Sequence, residues 1–363
     1  MGATYWSDDE YRRRAAFLRR AGRGAFEYHD AVSQLPQSQR RVHEKMDPYG
    51  VQWRESRDSE AHPESTAVAV LFDVTGSMGR VPRILQHNLC QLMNLLLDKG
   101  YLAHPQILIG GIGDATCDRA PLQIGQFESG IEIDQDLAKL WLEGGGGGQR
   151  TESYELAMYF MARKTAIDCL EKRGKRGYLF LIGDEMPYRC VRRRQVASLL
   201  GDQLQADIPV EEMVRELEEK YDTYFILPNL TSYYHDPAIL RCWQNLLGER
   251  VLRLEDPEGI ADLIASLVGL AEGRADLAGI EANLRETGRG RTARAVSSAL
   301  ASMGMSELAG WPDCPAAVPS RCGPDLIPAS VKKNPRWHFG FVYKSRRWHF
   351  MMRVIRALAG SSR

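Results

Sequence analysis

The sequence predicts an α/β protein: a doubly wound, mostly parallel six-stranded sheet of Rossmann-like type with helices on both faces. Three observations predict it. Short apolar runs alternate with stretches of helical periodicity throughout residues 66–271. Several of those runs, Ala67-Val-Ala-Val-Leu-Phe72 first among them, are apolar at every position, as in strands buried on both faces. Asp, Thr and Ser gather just after the strands, at the carboxyl edge where open α/β sheets bind ligands.

The elements follow in order. Ser7-x-x-Glu10 resembles a capping box and opens a helix through about Arg20 that carries Arg12, Arg13, Arg14, Arg19 and Arg20. A solvated helix face accounts for that charge, and a docking surface for an acidic partner or nucleic acid is the sharper alternative. Residues 1–65 therefore read as a helix followed by an extended arm, because apolar residues are sparse from Ser33 to Ser65. The first strand then runs into Asp73-Val-Thr75-Gly-Ser77-Met78, and Val81, Ile84, Leu85, Leu92 and Leu96 mark the helix after it.

Gln106–Asp114 is a second buried strand, Pro121–Phe127 a weaker edge strand, and Ile133–Leu142 a helix. Five glycines, Gly144 to Gly148, precede Gln149-Arg150-Thr151-Glu152-Ser153 and a helix carrying Tyr154, Leu156, Phe160 and Leu170. Such a run points to unusual dihedrals or a close backbone approach, with Thr151 capping the helix as the simpler account. No Lys follows the glycines, so the phosphate-binding P-loop pattern is absent. Tyr178–Gly183 is the fourth strand, with Asp184-Glu185 at its end.

Helices at Val191–Leu200 and Val210–Tyr221, a fifth strand at Thr223–Pro228, a helix at Pro237–Leu247, a sixth strand at Val251–Leu254 and a helix at Gly259–Leu270 complete the domain, 66–271. Residues 272–305 form an Ala-rich helical extension broken at 288–291. Residues 306–363 are Pro-rich, then basic and aromatic, and read as a disordered tail. Arg336-Trp-His-Phe339 recurs there as Arg347-Trp-His-Phe350.

Composition is that of a globular protein, with 44% hydrophobic and 26% charged residues. Lys/Arg and Asp/Glu number 47 each, but residues 331–363 hold nine basic and no acidic residues, leaving 1–330 at −9. No apolar stretch is long enough to span a bilayer. The first ten residues lack an apolar leader segment, and seven scattered cysteines form no Cys-x-x-Cys pair. Free thiols and a cytoplasmic location are the expectation.

Asp73, Thr75 and Ser77 after the first strand, Thr151 near the glycine loop and Asp184 after the fourth strand converge if those strands are neighbours. A carboxylate and hydroxyls are hard oxygen donors suited to Mg²⁺. Asp114 and Asp118 follow the second strand and are taken as loop structure.

On these residues the sequence resembles the von Willebrand factor A (VWA) domain, whose metal-ion-dependent adhesion site has Asp-x-Ser/Thr-x-Ser after the first strand. A Thr from a glycine-preceded loop and an Asp after the fourth strand complete that pattern. Asp73-Val-Thr75-Gly-Ser77, Thr151 and Asp184 match it over about 66–271, in the form common to intracellular VWA proteins. Gln149-Arg150 intervene where the family has Thr directly after Gly-Gly, so Ser153 and Gln149 are alternatives for the distal role. Glu185 stands where the family commonly has Gly, adding an accessory carboxylate.

The resemblance implies a cytoplasmic, non-enzymatic protein-binding adaptor. In it Thr75, Ser77 and Thr151 ligate Mg²⁺, or Mn²⁺, while Asp73 and Asp184 hold its waters. An open position accepts an Asp or Glu from a partner. Many intracellular members are companions of MoxR-type AAA+ ATPases, which makes such an ATPase the expected partner class. Two alternatives remain. Asp73-Val-Thr-Gly-Ser also resembles the Asp-Lys-Thr-Gly-Thr aspartyl-phosphate motif of P-type ATPases and their haloacid-dehalogenase-type relatives, with Asp73 as nucleophile, although Val74 stands where that motif has Lys and Thr75 where the soluble phosphatases have Asp. An RNA-associated VWA protein is the other, favoured by the basic tail alone.

Overall fold

The computed structural model describes residues 4–22, 24–145, 148–286 and 289–305. The central sheet has six strands: β1 (Thr66–Asp73), β2 (Pro105–Ile112), β3 (Leu122–Ile124), β4 (Gly177–Ile182), β5 (Tyr221–Pro228) and β6 (Val251–Leu254). Their spatial order is β6-β5-β4-β1-β2-β3. All pairings are parallel except β2 with β3, which is antiparallel at one edge. The fold is therefore α/β with a mostly parallel sheet, and β1 and β4 are neighbours.

Every residue of β1 is buried. The strand's period of two divides it between two cores: Val68, Val70 and Phe72 face one, and Ala67, Ala69 and Leu71 face the other. Burying a side chain as large as Val, Leu or Phe contributes about 1.5–3 kcal/mol, so both faces must be covered. Helix α1 (Asp8–Arg20) opens the chain, and the first core receives helices α2 (Val81–Asp98), α3 (Glu132–Ala138) and α7 (Ile260–Ala271). The second receives α4 (Tyr154–Arg163), α5 (Val210–Lys220) and α6 (Pro237–Leu247).

Local chemistry sets the helix ends. Ser7 Oγ accepts from the Glu10 amide at 3.3 Å at the start of Asp8–Arg20, as the capping pattern predicts. Asp236 caps α6 by accepting from the Ala238 amide at 2.8 Å, with Pro237 in the first turn. Arg14 of the first helix pairs with Asp134 at 2.6 Å and Glu27 at 3.0 Å, so part of its basic face is spent on the body of the protein.

The arm is strapped across the domain. Arg54–Ser56 pairs in parallel with Thr165–Ile167, and the Met46 carbonyl accepts from the Ile124 amide at 2.8 Å. That pairing explains one difference from the sequence reading. The helix expected to run through Leu170 stops at Arg163, because Thr165–Ile167 is drawn into a strand against the arm, followed by a turn of helix at Asp168–Glu171. The helix expected over Ile133–Leu142 is also shorter, Glu132–Ala138.

Leu277–Glu286 and Gly290–Met305 are the two Ala-rich helices. They pack into the first core, where Ile280, Val296 and Leu300 are at most 2% exposed. Arg289 pairs with Asp262 of α7, and Thr292 Oγ1 donates to the other oxygen of Asp262 at 2.6 Å. Cys169 and Cys242 are free thiols, but Cys190 is in a disulfide, which corrects the expectation of free thiols throughout. Spacing along the chain does not report which thiols meet in space. No helix among the described residues is long and apolar enough to cross a membrane. The Pro-rich and basic aromatic tail, 306–363, lies outside the described residues, as do positions 146–147 of the glycine run and 288 of the helix break.

Candidate metal centre

The centre is built at the carboxyl ends of β1 and β4. Asp73 is the last residue of β1 and is fully buried. Its Oδ1 accepts from the Thr75 amide at 2.8 Å and the Thr75 hydroxyl at 2.6 Å, a local turn that Asp-x-Thr favours. Ser77 Oγ donates to Asp184 Oδ1 at 2.7 Å. The Tyr233 amide, from the loop after β5, donates to Asp184 Oδ2 at 3.0 Å.

The two hydroxyl oxygens, Thr75 Oγ1 and Ser77 Oγ, are 3.1 Å apart. Each hydroxyl donates its hydrogen bond to a carboxylate at a shorter distance. Each oxygen thus keeps lone pairs that a cation between the acids could use.

Glycines permit the approach. A Cβ on Gly76 would lie 3.1 Å from the Gly144 carbonyl oxygen, and the Gly76 amide donates to the Gly145 carbonyl at 3.1 Å. The glycine run thus lies backbone to backbone against the Asp73–Ser77 turn. A Cβ on Gly183 would sit 1.8 Å from the Tyr154 hydroxyl. Only glycine there lets that hydroxyl reach Asp73 Oδ2, to which it donates at 3.0 Å.

Asp73, Asp184 and Glu185 form a buried triad whose nearest carboxylate oxygens all lie within 4.8 Å of one another. None of the three forms an ion pair with a Lys or Arg among the described residues. Glu185 and Glu152 face each other as a hydrogen-bonded carboxyl pair, which requires a proton on one of them, and Oε2 of each meets no other donor. Burial, with Asp184 and Glu185 adding to it and Thr75 opposing, pushes Asp73 up to about 8. Burial raises Asp184 as well. Glu185 is raised by burial and by Asp184, and Glu152 by burial, the facing Glu185 and Asp73. Carboxyls gathered this closely hold protons unless a cation replaces them. The triad, with two hydroxyl oxygens beside it, is an all-oxygen donor set that can hold a metal ion.

The structure brings together Asp73, Thr75, Ser77, Asp184 and Glu185. It places Gln149, Thr151 and Ser153 elsewhere, on a neighbouring cluster around Asp114. Asp114-Ala-Thr116 repeats the turn of Asp73-Val-Thr75, with Asp114 Oδ1 accepting from the Thr116 amide and hydroxyl at 2.8 Å each. Gln149 Nε2 donates to Asp114 Oδ2 at 2.7 Å. Ser153 Oγ accepts from the Ala115 amide at 2.9 Å. The Thr151 side chain is bonded to Tyr188, whose hydroxyl reaches Asp114 at 3.0 Å.

Thr151 does not cap the following helix. It sits in a two-residue strand, Thr151–Glu152, paired with Met186–Pro187, and Ser153 occupies the cap position without a capping bond from its side chain. The short strand turns Glu152, not Thr151, toward Asp73 and Glu185. Glu152, Tyr154, Tyr188 and Tyr233 were not singled out from the sequence. The signal available was a glutamate and a tyrosine at the head of a helix otherwise apolar through Met161.

No family model matches the chain, and no curated protein matches it. Among solved structures, the pilus adhesin SpaC from Lactobacillus rhamnosus GG, in an open conformation, superposes with a TM-score of 0.40 at 9% identity. That match covers 60% of this chain and 31% of the adhesin. Proximal thread matrix protein 1 from the mussel byssus gives a TM-score of 0.37 at 12% identity, over 57% of this chain and 46% of that protein. The chain therefore spans less than half the length of either, and the site's chemistry has to be argued from its own residues.

Proposed function

We propose that the protein is a VWA-type, metal-dependent protein-binding module whose ion sits among Asp73, Thr75, Ser77, Asp184 and Glu185. The observation that carries this reading is the buried triad of carboxylates without a compensating Lys or Arg among the described residues. A bound Mg²⁺ or Mn²⁺ would supply charge neutralisation and a Lewis-acidic position for an incoming carboxylate. The chain's own residues do the rest. Thr75 and Ser77 are held between the two aspartates and present bare oxygens. Tyr154 fixes the second oxygen of Asp73, and the Tyr233 amide fixes that of Asp184.

Asp73 and Asp184 alone balance a divalent charge. Glu185 adds a third negative charge, so a partner's Asp or Glu competes with Glu185 for the ion. This differs from the resemblance, in which Thr151 is the distal ligand. The proposed set takes Glu185 instead, because Thr151 is engaged with Tyr188. A nucleophilic Asp73 is disfavoured by its full burial and by donors on both of its oxygens.

Isothermal titration of the full chain with Mg²⁺ and Mn²⁺ tests the reading. One saturable site is expected in the wild type and none in Asp73→Ala combined with Thr75→Ala. A wild-type protein that binds neither ion removes the basis of the proposal. Hydrolysis of p-nitrophenyl phosphate that depends on both Mg²⁺ and Asp73 would replace it with the phosphatase reading.

A further inference from the structure

Three aromatic side chains meet in the second core, and two of them reach the proposed centre. Tyr154 comes from α4, Phe225 from β5 and Trp243 from α6, and all three are fully buried. Phe225 and Trp243 stack, with ring centroids 3.9 Å apart and planes 13° apart. Tyr154 meets the Trp243 ring edge-on, at 5.2 Å and 89°, an arrangement that suits the charge distribution of two aromatic rings.

The polar atoms of the touching pair are both spent on the centre. Tyr154 donates its hydroxyl to Asp73 Oδ2 at 3.0 Å, in the space that Gly183 leaves. Trp243 donates Nε1–H to the backbone carbonyl of Glu185 at 2.8 Å. Asp73 ends β1, and Glu185 lies in the turn after β4. The two rings therefore fasten one acid of the triad through its side chain and another through its main chain, across two strands. Neither ring can turn away without leaving a buried donor unpaired, which is costly. Glu185 needs such an anchor, because its side chain faces Asp73, Asp184 and Glu152 and has no cation to hold it in place among the described residues.

We infer that Trp243, acting with Tyr154, is a positioning residue that sets which ion the centre accepts, favouring Mg²⁺ over Ca²⁺. The inference rests on the metal-dependent reading. Neither ring touches the ion; each acts through the acid it holds. Mg²⁺ demands near-octahedral geometry at about 2.0–2.1 Å, whereas Ca²⁺ accepts irregular shells at about 2.3–2.6 Å. Donors fixed relative to one another can meet the stricter demand, and loosening them costs the smaller ion more than the larger.

The test is isothermal titration of the full chain with Mg²⁺ and, separately, with Ca²⁺, for the wild type, Trp243→Phe and Tyr154→Phe. Trp243→Phe keeps a ring against Phe225 and removes the donor to Glu185. Tyr154→Phe keeps the ring and removes only the hydroxyl, so it retains the packing even if the larger change proves disruptive. Val296→Ala, in the first core, is the control for lost stability, and urea denaturation in EDTA is measured for every variant. The wild type is expected to prefer Mg²⁺. Each aromatic variant is expected to weaken Mg²⁺ binding roughly tenfold or more and Ca²⁺ binding by a smaller factor, so that the ratio of the two affinities falls. Val296→Ala is expected to lose stability and keep the wild-type ratio.

If Trp243→Phe loses stability but keeps the wild-type ratio, as Val296→Ala does, Trp243 is a packing residue; the inference is overturned and the metal reading stands. A wild type that binds Ca²⁺ as tightly as Mg²⁺ has no selectivity to set and overturns the inference as well. A wild type that binds neither ion overturns the metal reading, and the inference with it.

Discussion

Replacing Asp73 with Asn separates what the carboxylate costs from what it provides. The amide oxygen of Asn keeps the acceptor for the Thr75 amide and hydroxyl. The amide nitrogen meets the Tyr154 hydroxyl, which then accepts instead of donating. The bonds survive and only the charge goes. Burial raises this carboxyl from 3.8 to about 8. At about 1.36 kcal/mol per pH unit, keeping it ionised in the metal-free fold costs at most about 6 kcal/mol.

The sign follows from the protons bound. Between pH 3.8 and about 8 the folded state holds a proton that the unfolded state has lost, so metal-free stability falls as pH rises through that window. Asp73→Asn should therefore be more stable than the metal-free wild type at pH 8 and lose the corresponding slope. In Mg²⁺ the gap narrows. At a hundred times the dissociation constant, binding stabilises the wild type by about 2.7 kcal/mol, and the variant not at all. Urea denaturation at pH 6 and pH 8, with EDTA and with Mg²⁺, reads all of these quantities. Equal Mg²⁺ stabilisation of wild type and Asp73→Asn would refute the reasoning, since it would place the ion away from Asp73.

Other substitutions probe the same arrangement. Thr75→Ala should weaken Mg²⁺ binding roughly tenfold or more by calorimetry, whereas Thr151→Ala should leave it unchanged, because only Thr75 lies among the acids. Glu185→Gln should lower metal affinity yet strengthen metal-dependent capture of an acidic peptide, by removing the internal competitor; weaker capture would contradict Glu185 in that place. Gly183→Ala should destabilise the fold by about 2 kcal/mol or more in thermal melts, since its methyl group meets the Tyr154 hydroxyl. Gly183→Ala combined with Tyr154→Phe should recover part of that loss. Val296→Ala should cost about 1–3 kcal/mol in a single cooperative transition if the helix Gly290–Met305 belongs to the core.

Periodicity made the sheet legible. Runs apolar at every position announced buried strands, and β1, β4 and β6 fall within a residue of where those runs place them. The edge strand was legible too, from its shortness, but its antiparallel direction was not. What periodicity does not carry is pairing between distant segments. Nothing in Thr165-Ala-Ile167 distinguishes a helix from a strand until Arg54–Ser56 arrives beside it. The same limit applied to the centre. Asp73, Thr75, Ser77 and Asp184 stood out because each follows a strand that β1 and β4 bring together. Thr151 was drawn in by its hydroxyl and its place after the glycines. Its direction was decided by a two-residue pairing with Met186–Pro187, which turns the neighbouring Glu152 inward. Tyr154 was hidden for another reason: a buried tyrosine in an apolar helix looks like core until its hydroxyl is seen over Gly183.

The bond from Ser77 to Asp184 joins positions 107 residues apart, on strands that are neighbours only once the crossovers between them have formed. Contacts of that separation are late events in folding, because the loop they close is long. A nascent chain that has emerged only as far as β3 displays Asp73 and both hydroxyls but has no triad. The triad appears when β4 docks, and the loop after β5 must then close over it to supply the Tyr233 amide. On the proposed reading, a partner that binds this centre would be matched to the finished protein and would pass over its unfinished forms.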